Sequence, residues 1–209
     1  MKKRKLCAAA GLLAAFVLWT VAVRLVDVRP IGPEGSQVGF AAVNAFVHRL
    51  TGVHMTLYTI TDWLGLVPVF FGLGFAVLGL VQWISRRSVL RVDRSILVLG
   101  GFYILVAAAY LFFESEVINY RPVLIGGFLE ASYPSSTTLL VLCVMPTAAM
   151  QLRDRIKHPA FRRWIRFTVT AFSVFMVAGR LLSGVHWATD IVGGILLSWG
   201  LVKLYAAAQ

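Results

Sequence analysis

The chain has 209 residues, of which 59% are hydrophobic and only 14% are charged, and its mean hydropathy is +0.80. A soluble domain of this length needs far more polar surface, so the composition excludes an ordinary water-soluble protein and predicts an integral membrane protein. The formal net charge of +11 is typical of nucleic-acid binding in a soluble chain, but here the basic residues follow a topological pattern, so we expect no nucleic-acid partner.

The chain opens with a basic segment and an apolar run, MKKRKLCAAAGLLAAFVLWTVAV. Such a start is also typical of a signal peptide. However, the apolar run extends to about Val26, and its small residues lie at its beginning, where a cleavage site would not be. The length of the run therefore favours a retained first membrane helix.

Six apolar segments are predicted to cross a bilayer as helices, for which about 20 residues is the usual length, and the fourth of them is short. They are Leu6–Val26, Ile60–Ile84, Ser95–Phe113, Thr137–Leu152, Phe167–Leu182 and Thr189–Tyr205. Helix is the expected state because a backbone in lipid must satisfy its own hydrogen bonds. The sequence thus predicts an all-α bundle of six transmembrane helices. It forms one domain over residues 1–209, with the first span and an outer loop in 1–59 and a motif-bearing core in 60–209.

The basic residues alternate between the two ends of this bundle. Fifteen of the twenty Lys and Arg residues lie before the first span, between the second and third, between the fourth and fifth, and near the C-terminus. The other connections hold seven of the nine acidic residues. By the positive-inside rule, both termini are cytoplasmic and the acidic connections are extracytoplasmic. Within the first of these, residues 38–52 have apolar side chains at helical spacing, which predicts an amphipathic helix at the membrane surface.

Two extracytoplasmic segments concentrate polar side chains beside span ends. RPVLIGGFLEASYPSSTT runs from Arg121 to the start of the fourth span, and GRLLSGVHWATD joins the fifth span to the sixth. His186 and Asp190 are four residues apart, so on a helix the carboxylate can accept a proton from one imidazole nitrogen and leave the other nucleophilic. An arginine such as Arg180 or Arg121 suits phosphate or carboxylate. Together the residues indicate a phosphate-type site.

The hydroxyl cluster after Pro134 allows two interpretations. Ser135, Ser136, Thr137 and Thr138 stand where a helix begins, so they can cap it. The free N–H groups of a first helical turn also form an anion site, and both roles can coexist.

The motifs RP at 121–122, YPSS at 133–136 and R-x5-H-x3-D at 180–190 resemble the three signatures of the type 2 phosphatidic acid phosphatase superfamily, which also includes vanadium haloperoxidases. The resemblance implies that His186 is a nucleophile forming a phosphohistidine and that Asp190 orients it. It further implies that Arg121 and Arg180 hold phosphate oxygens. Ser135, Ser136 and Thr137 would complete the phosphate site, with no metal or other cofactor.

Three positions depart from the family pattern. Glu114 stands where the first signature begins with lysine, and Thr137 replaces the second-signature histidine that protonates the leaving group. Gly179 replaces the serine before the third-signature arginine. Glu114 can instead pair with Arg121. His48 or His54 of the first outer loop is an alternative proton donor, although both suit an interfacial position.

We therefore expect a membrane lipid phosphatase or diphosphatase acting on a phosphorylated lipid such as a polyprenyl diphosphate. Because the lysine and the histidine of the family pattern are replaced, the alternative function is that of a catalytically silent relative, which binds or transports a phosphorylated lipid. A third option is transfer of the phosphoryl group to another acceptor. The basic loops and the resemblance indicate a multi-pass protein of a bacterial plasma membrane, in contact with membrane lipids. Its oligomeric state is not predicted.

Overall fold

The computed structural model describes residues 2–209, which form eight α-helices. They are α1 (Lys2–Leu25), α2 (Ala41–Thr51), α3 (Met55–Leu64), α4 (Leu66–Arg86), α5 (Arg94–Ser115), α6 (Ser136–Arg155), α7 (Pro159–Leu182) and α8 (Ala188–Ala208). Apart from three isolated β-bridges, these described residues contain no β-structure. The all-α prediction is confirmed.

Five helical segments in the described range are long and apolar enough to span a bilayer: α1, the consecutive pair α3–α4, α5, α7 and α8. The remaining predicted span corresponds to α6, a 20-residue helix with ten buried residues that packs against α4, α5, α7 and α8. Because protein covers much of α6, this helix tolerates buried polar residues such as Thr147 and Gln151. The number of helices that cross the membrane stays a prediction.

Two predicted span boundaries differ from the structure. The second span, predicted as Ile60–Ile84, is divided at Gly65 into α3 and α4, because Pro68 lacks the N–H that would bond the Leu64 carbonyl in a continuous helix. The fifth span, predicted from Phe167, begins at Pro159, since proline is well accommodated in a first helical turn and the basic residues that follow lie at the helix start.

Side-chain bonds identify which connections share an end of the bundle. At one end, Lys5 Nζ donates to the Ala206 carbonyl at 2.8 Å, and Arg155 Nη2 donates to Ser95 Oγ at 3.4 Å. At the other end, Trp19 Nε1 donates to the Thr189 carbonyl at 3.1 Å. Both termini therefore lie at one end, while the 26–40, 116–135 and 183–187 connections meet at the other.

The predicted amphipathic helix after the first span is α2, and it packs against the beginning of α8. Asn44 is fully buried there. Its Nδ2 donates to Thr189 Oγ1 at 2.9 Å, and its Oδ1 accepts from the Thr189 N–H at 3.2 Å. This pair of bonds caps the first turn of α8 and fixes the element that carries Asp190.

Candidate active site

The connection between α7 and α8 places His186 in the interior of the protein. α7 ends in a tight turn at Gly184, whose φ of +69° is a left-handed conformation that suits glycine, with its N–H donating to the Leu181 carbonyl at 3.2 Å. His48 Nε2 lies 3.1 Å from the Gly184 carbonyl oxygen, so α2 also holds this turn. The turn leads directly to His186, which is only 3% exposed.

Asp190 is fully buried in the first turn of α8, and its carboxylate has two donors. Oδ2 accepts from the Trp187 N–H at 3.0 Å, and Oδ1 accepts from Asn119 Nδ2 at 3.0 Å. His186 Nδ1 lies 3.8 Å from Oδ2, which exceeds hydrogen-bond distance. The two side chains are neighbours, but His186 precedes the N-cap Trp187 and is not part of α8, so the pair does not share a helix face as the spacing predicted, and it is looser than the predicted hydrogen bond.

A hairpin-like loop carries Arg121 toward the α7–α8 connection. The loop turns at Gly126 and Gly127, both at positive φ, as a two-residue hairpin turn requires. The Arg121 N–H donates to the Glu130 carbonyl across the hairpin at 3.0 Å. Trp187 Nε1 donates to the Tyr120 carbonyl at 2.8 Å, which fixes the loop against the residue after His186.

The start of α6 joins the second predicted segment to the third. Ser135 is the N-cap of α6: its Oγ accepts from the Thr138 N–H at 3.5 Å, and its own N–H donates to the Asp190 carbonyl at 3.1 Å. Thr137 Oγ1 accepts from Arg180 Nη2 at 2.5 Å. Thr137 and Arg180 are therefore neighbours in the same buried polar region, as the resemblance implies.

The two arginines converge on one aromatic ring, Tyr58 of α3. The guanidinium carbon of Arg121 lies 5.8 Å from the ring centroid, and that of Arg180 lies 5.0 Å from it. Both distances are typical of cation–π contacts. The guanidinium groups therefore lie at the same end of the bundle, although 59 positions separate them in the sequence.

Each arginine also has one acidic partner. Asp62 Oδ1 accepts from Arg180 Nη2 at 2.9 Å, and Glu130 Oε2 lies 3.0 Å from Arg121 Nε. Both carboxylates are partly exposed, at 56% for Asp62 and 40% for Glu130, while the arginine side chains are 2% and 10% exposed. Each acid thus contacts one nitrogen of its arginine from the solvent side. The other buried guanidinium nitrogens stay available to another anion.

Several buried side-chain nitrogens of Arg121, Arg180 and His186 have no hydrogen-bond partner. Across residues 2–209, nine buried side-chain N or O atoms are unpartnered, and six belong to Arg121, Arg180 and His186. They are Nε and Nη1 of each arginine and both imidazole nitrogens. Arg121 Nε still has Glu130 as its ion-pair partner, and His186 Nδ1 faces Asp190, so the nitrogens without any polar neighbour are Arg121 Nη1, Arg180 Nε and Nη1, and His186 Nε2. Buried donors without acceptors are costly and uncommon, so their concentration at one place indicates a site built for a polyatomic anion.

Burial sets the protonation of His186. Removal from water, with a further contribution from the charge of Arg121, lowers the pKa of His186 to about 4, although Asp190 opposes this effect. The imidazole is therefore neutral near pH 7 and retains the lone pair that a nucleophile needs.

The acidic limb of kcat/KM is accordingly expected near pH 4 instead of the ordinary 6.5 or so of histidine. As the pH falls through this value, protonation removes the nucleophilic lone pair and the rate falls. The check is a profile from about pH 3.5 to 8 with two substrates whose phosphates ionise at different pH. A limb due to substrate moves between them, whereas a limb near 6.5 that is common to both would contradict this assignment.

Other predicted residues lie apart from the arginines. Ser136 lines a small crevice beside α5 together with Glu114, so adjacent hydroxyls of the cluster point to different regions. Arg121 pairs with Glu130 and not with Glu114, which was the alternative expected from the sequence. His54 is exposed. Within the described residues, no three His, Cys, Asp or Glu side chains are grouped to hold a metal ion.

Comparison with known families agrees with the motif pattern. The sequence profile of the PAP2 superfamily matches residues 101–209, which is more than half of the chain. The chain belongs to the PAP2 superfamily. The predicted resemblance to type 2 phosphatidic acid phosphatases is thereby confirmed, and all of Arg121, Ser135, Arg180, His186 and Asp190 fall inside the matched PAP2 region.

A solved PAP2 structure has a similar fold. It is a transmembrane PAP2-type phosphatidylglycerolphosphate phosphatase from Bacillus subtilis, 18% identical in sequence. The TM-score is 0.61 over 95% of this chain and 94% of that one. At this identity the likeness concerns the fold alone, and it covers nearly the whole of this chain. No curated protein gives a significant sequence match.

Proposed function

We propose that this protein is a membrane lipid phosphatase or diphosphatase that works through a phosphohistidine at His186. The observation that carries the proposal is the group of buried nitrogens without a polar neighbour, which are Arg121 Nη1, Arg180 Nε and Nη1, and His186 Nε2. Two buried guanidinium groups are stabilised by an anion between them, and phosphate matches their paired N–H geometry. Membership of the PAP2 superfamily supports a phosphorylated lipid as the source of that phosphate.

The proposed reaction has two steps. His186 Nε2 attacks phosphorus while Nδ1 faces Asp190, the bond from phosphorus to the leaving oxygen breaks, and the electron pair departs with the leaving group. Water then attacks the phosphorus, the N–P bond breaks, and inorganic phosphate and neutral imidazole result. Arg121, Arg180 and the first-turn N–H groups of α6 stabilise the charge on the phosphoryl oxygens in both steps.

Asp190 acts in this scheme by stabilising the imidazolium character that develops on His186. A shift of under 1 Å from the present 3.8 Å brings its Oδ2 to hydrogen-bond distance of Nδ1. Asn119 and the Trp187 N–H hold the carboxylate in place, so they serve as positioning groups for Asp190.

The leaving group indicates the substrate class. Thr137 occupies the position of the histidine that protonates the leaving group in the family, and a threonine hydroxyl cannot supply that proton near neutral pH. Loss of general-acid help costs about 10²–10⁴-fold and is most severe for an alkoxide. A phosphate monoester leaving from a diphosphate is already a stable anion. We therefore expect a lipid diphosphate, such as a polyprenyl diphosphate, to be preferred.

The preference is expected to be at least about 10²-fold in kcat/KM over phosphatidic acid, measured with purified wild-type protein. The Thr137→His variant provides an internal comparison, because a restored imidazole acid should raise turnover of phosphatidic acid more than turnover of the diphosphate. Faster phosphate release from phosphatidic acid by the wild type would refute the preference.

A catalytically silent relative that binds or transports a phosphorylated lipid is the second candidate. The observation in its favour is that Glu114 and Thr137 replace two charged or titratable family residues. In that case wild-type protein binds lipid diphosphate without releasing phosphate, and His186→Ala binds it equally well. If the wild type releases phosphate and the His186→Ala variant does not, the protein is an enzyme and not a silent relative.

The orientation proposed from the basic residues places the site on the extracytoplasmic side. The end of the bundle that holds Arg121 and His186 is opposite the end that holds both termini. Labelling of an introduced cysteine by a membrane-impermeant reagent on intact cells tests this directly. A Phe128→Cys variant in a Cys7→Ser background, at an exposed position beside the hairpin turn, is expected to react, whereas labelling only after lysis would place the site in the cytoplasm.

A further inference from the structure

A long groove runs between α6, α7 and α8, on the side of the bundle away from α5. It has a volume of about 1040 Å³. α7 packs on α6 and α3 but contacts α8 only sparsely, which leaves the groove between them. Its walls are mainly aliphatic, with Leu142 on α6, Val169 and Val177 on α7, and Ile195 on α8. The groove is as large as the largest small-molecule pockets, which reach about 1,000 Å³.

The charged residues that line this groove are all basic and all lie at one end. We define this basic mouth as Arg153, Arg162, Arg166 and Lys203. The last turn of α6, the first half of α7 and the end of α8 bring them together, since these helices alternate in direction. Among residues 2–209, no acidic side chain lines the groove.

Part of this charge is not engaged by the protein. Arg153 pairs with Asp154, and Arg162 Nε donates to the Ile156 carbonyl at 2.5 Å. Among the described residues, no hydrogen bond or ion pair involves the side chain of Arg166 or Lys203. Two cations at the entrance of an apolar groove are thus available to an external anion.

The dimensions fit one lipid chain below a headgroup. From Arg166 to Leu181 the wall of α7 extends about 22 Å at 1.5 Å per residue. The hydrocarbon of a single leaflet is about 15 Å deep, half of a core of about 30 Å. Ser173 Oγ, buried and without a partner, lines the groove about 10 Å along the helix axis from Arg166. An ester carbonyl can accept its proton at that depth.

We propose that this groove binds an anionic phospholipid from the leaflet at which both termini lie. Its phosphate contacts Arg166 and Lys203 at the basic mouth, and an acyl chain fills the groove between α7 and α8. A second copy of the chain fits less well, because this end carries fifteen of the twenty basic residues and two copies would repel each other. The basic mouth lies at the opposite end from His186, so this lipid is distinct from the phosphorylated substrate.

The test uses the full chain, delipidated in detergent, with phosphatidylserine and phosphatidylcholine of identical acyl chains as probes and native mass spectrometry as readout. Wild type is expected to retain one phosphatidylserine per chain in preference to phosphatidylcholine. Arg166→Gln with Lys203→Gln should lower that retention about 25-fold, since each basic residue near an anionic headgroup is worth about fivefold. Val177→Trp, which fills the groove, should lower retention of both lipids.

The matched control is Arg87→Gln with Arg91→Gln, two exposed residues of the α4–α5 connection that lie at the same end but outside the groove. This pair should retain phosphatidylserine as wild type does. If both double variants lose the same amount of bound phosphatidylserine, general charge attraction explains the effect and the proposal is overturned. Equal wild-type retention of the two lipids would also overturn it, as would a dimer that Val177→Trp dissociates. No arm of the test requires phosphatase activity.

Discussion

The His186→Ala variant is expected to lose phosphate release by about 10⁴-fold or more, because no covalent intermediate can form without the imidazole. His186 is buried, both its ring nitrogens are unpartnered, and its pKa is lowered to about 4, so it makes little contribution to the native hydrogen-bond network. The variant should therefore fold. Initial rates of phosphate release from a lipid diphosphate by wild type and variant are the measurement.

The control for His186 is His54→Ala. His54 is an exposed outer-loop histidine and a sequence-based candidate for the proton donor. This variant should retain nearly full activity. If His186→Ala remains within tenfold of wild type while His54→Ala is inactive, the assignment of the nucleophile is wrong. Thermal melting of both variants separates loss of chemistry from loss of fold.

Arg180→Ala is expected to lower kcat by about 10²–10³-fold, the usual loss when a donor to a developing oxyanion is removed. Arg180 is 2% exposed and presents Nε and Nη1 without partners. Arg180→Lys keeps the charge but not the paired N–H geometry, so it should recover only part of the rate. The measurement is kcat with saturating lipid diphosphate, together with the affinity for orthovanadate as a phosphate mimic.

Arg49 provides the comparison for this arginine. It lies on α2 at the same end of the bundle, is exposed, and lies apart from the Tyr58 ring where the two site arginines meet. Arg49→Ala should change kcat by less than about twofold, the range expected for a surface substitution. Equal losses in Arg49→Ala and Arg180→Ala would mean that general positive charge, and not a phosphate contact, explains the effect.

The sequence predicted the residues of the site that local spacing and charge patterns indicate. His186 and Asp190 are four residues apart, and the structure brings them together, although α8 begins only at Ala188 and His186 lies in the connection before the N-cap Trp187. Alternating basic loops predicted that Arg121 and Arg180 lie at the same end of the bundle, and the structure places both beside Tyr58. Patterns of charge and apolar length carry this information locally, without knowledge of tertiary packing.

Tyr58 and Asp62 could not be predicted as site residues: Tyr58 precedes the predicted second span and Asp62 lies within it, and no local pattern connects either residue with Arg121 or Arg180. The two residues are four apart on α3, and the packing of α3 on α7 brings both of them to Arg180. Asn119 was missed for a similar reason: it lies in an irregular loop, and its bond to Asp190 joins positions 71 residues apart. Such contacts depend on tertiary packing that no local pattern encodes.

The hydroxyl side chains after Pro134 show that a sequence motif does not determine where each of its side chains points. The sequence grouped Ser135, Ser136 and Thr137 as phosphate ligands. In the structure Ser135 caps α6, Ser136 faces the α5 crevice and Thr137 contacts Arg180. Ser136 and Thr137 are successive residues of α6, whose side chains point about 100° apart, so the two hydroxyls face different regions. Cap geometry, and not composition, decides which of them reaches the substrate.

The proposed phosphohistidine at His186 is tested most directly by trapping the covalent intermediate and identifying the labelled residue. Wild-type protein is quenched during turnover of a lipid diphosphate labelled in the phosphoryl group that is released, and peptides are then mapped at alkaline pH, where phosphohistidine survives. Label is expected on His186, reduced in Arg180→Ala and missing in His186→Ala. Label on another residue, or phosphate release by wild type with no labelled protein at any quench time, would contradict it.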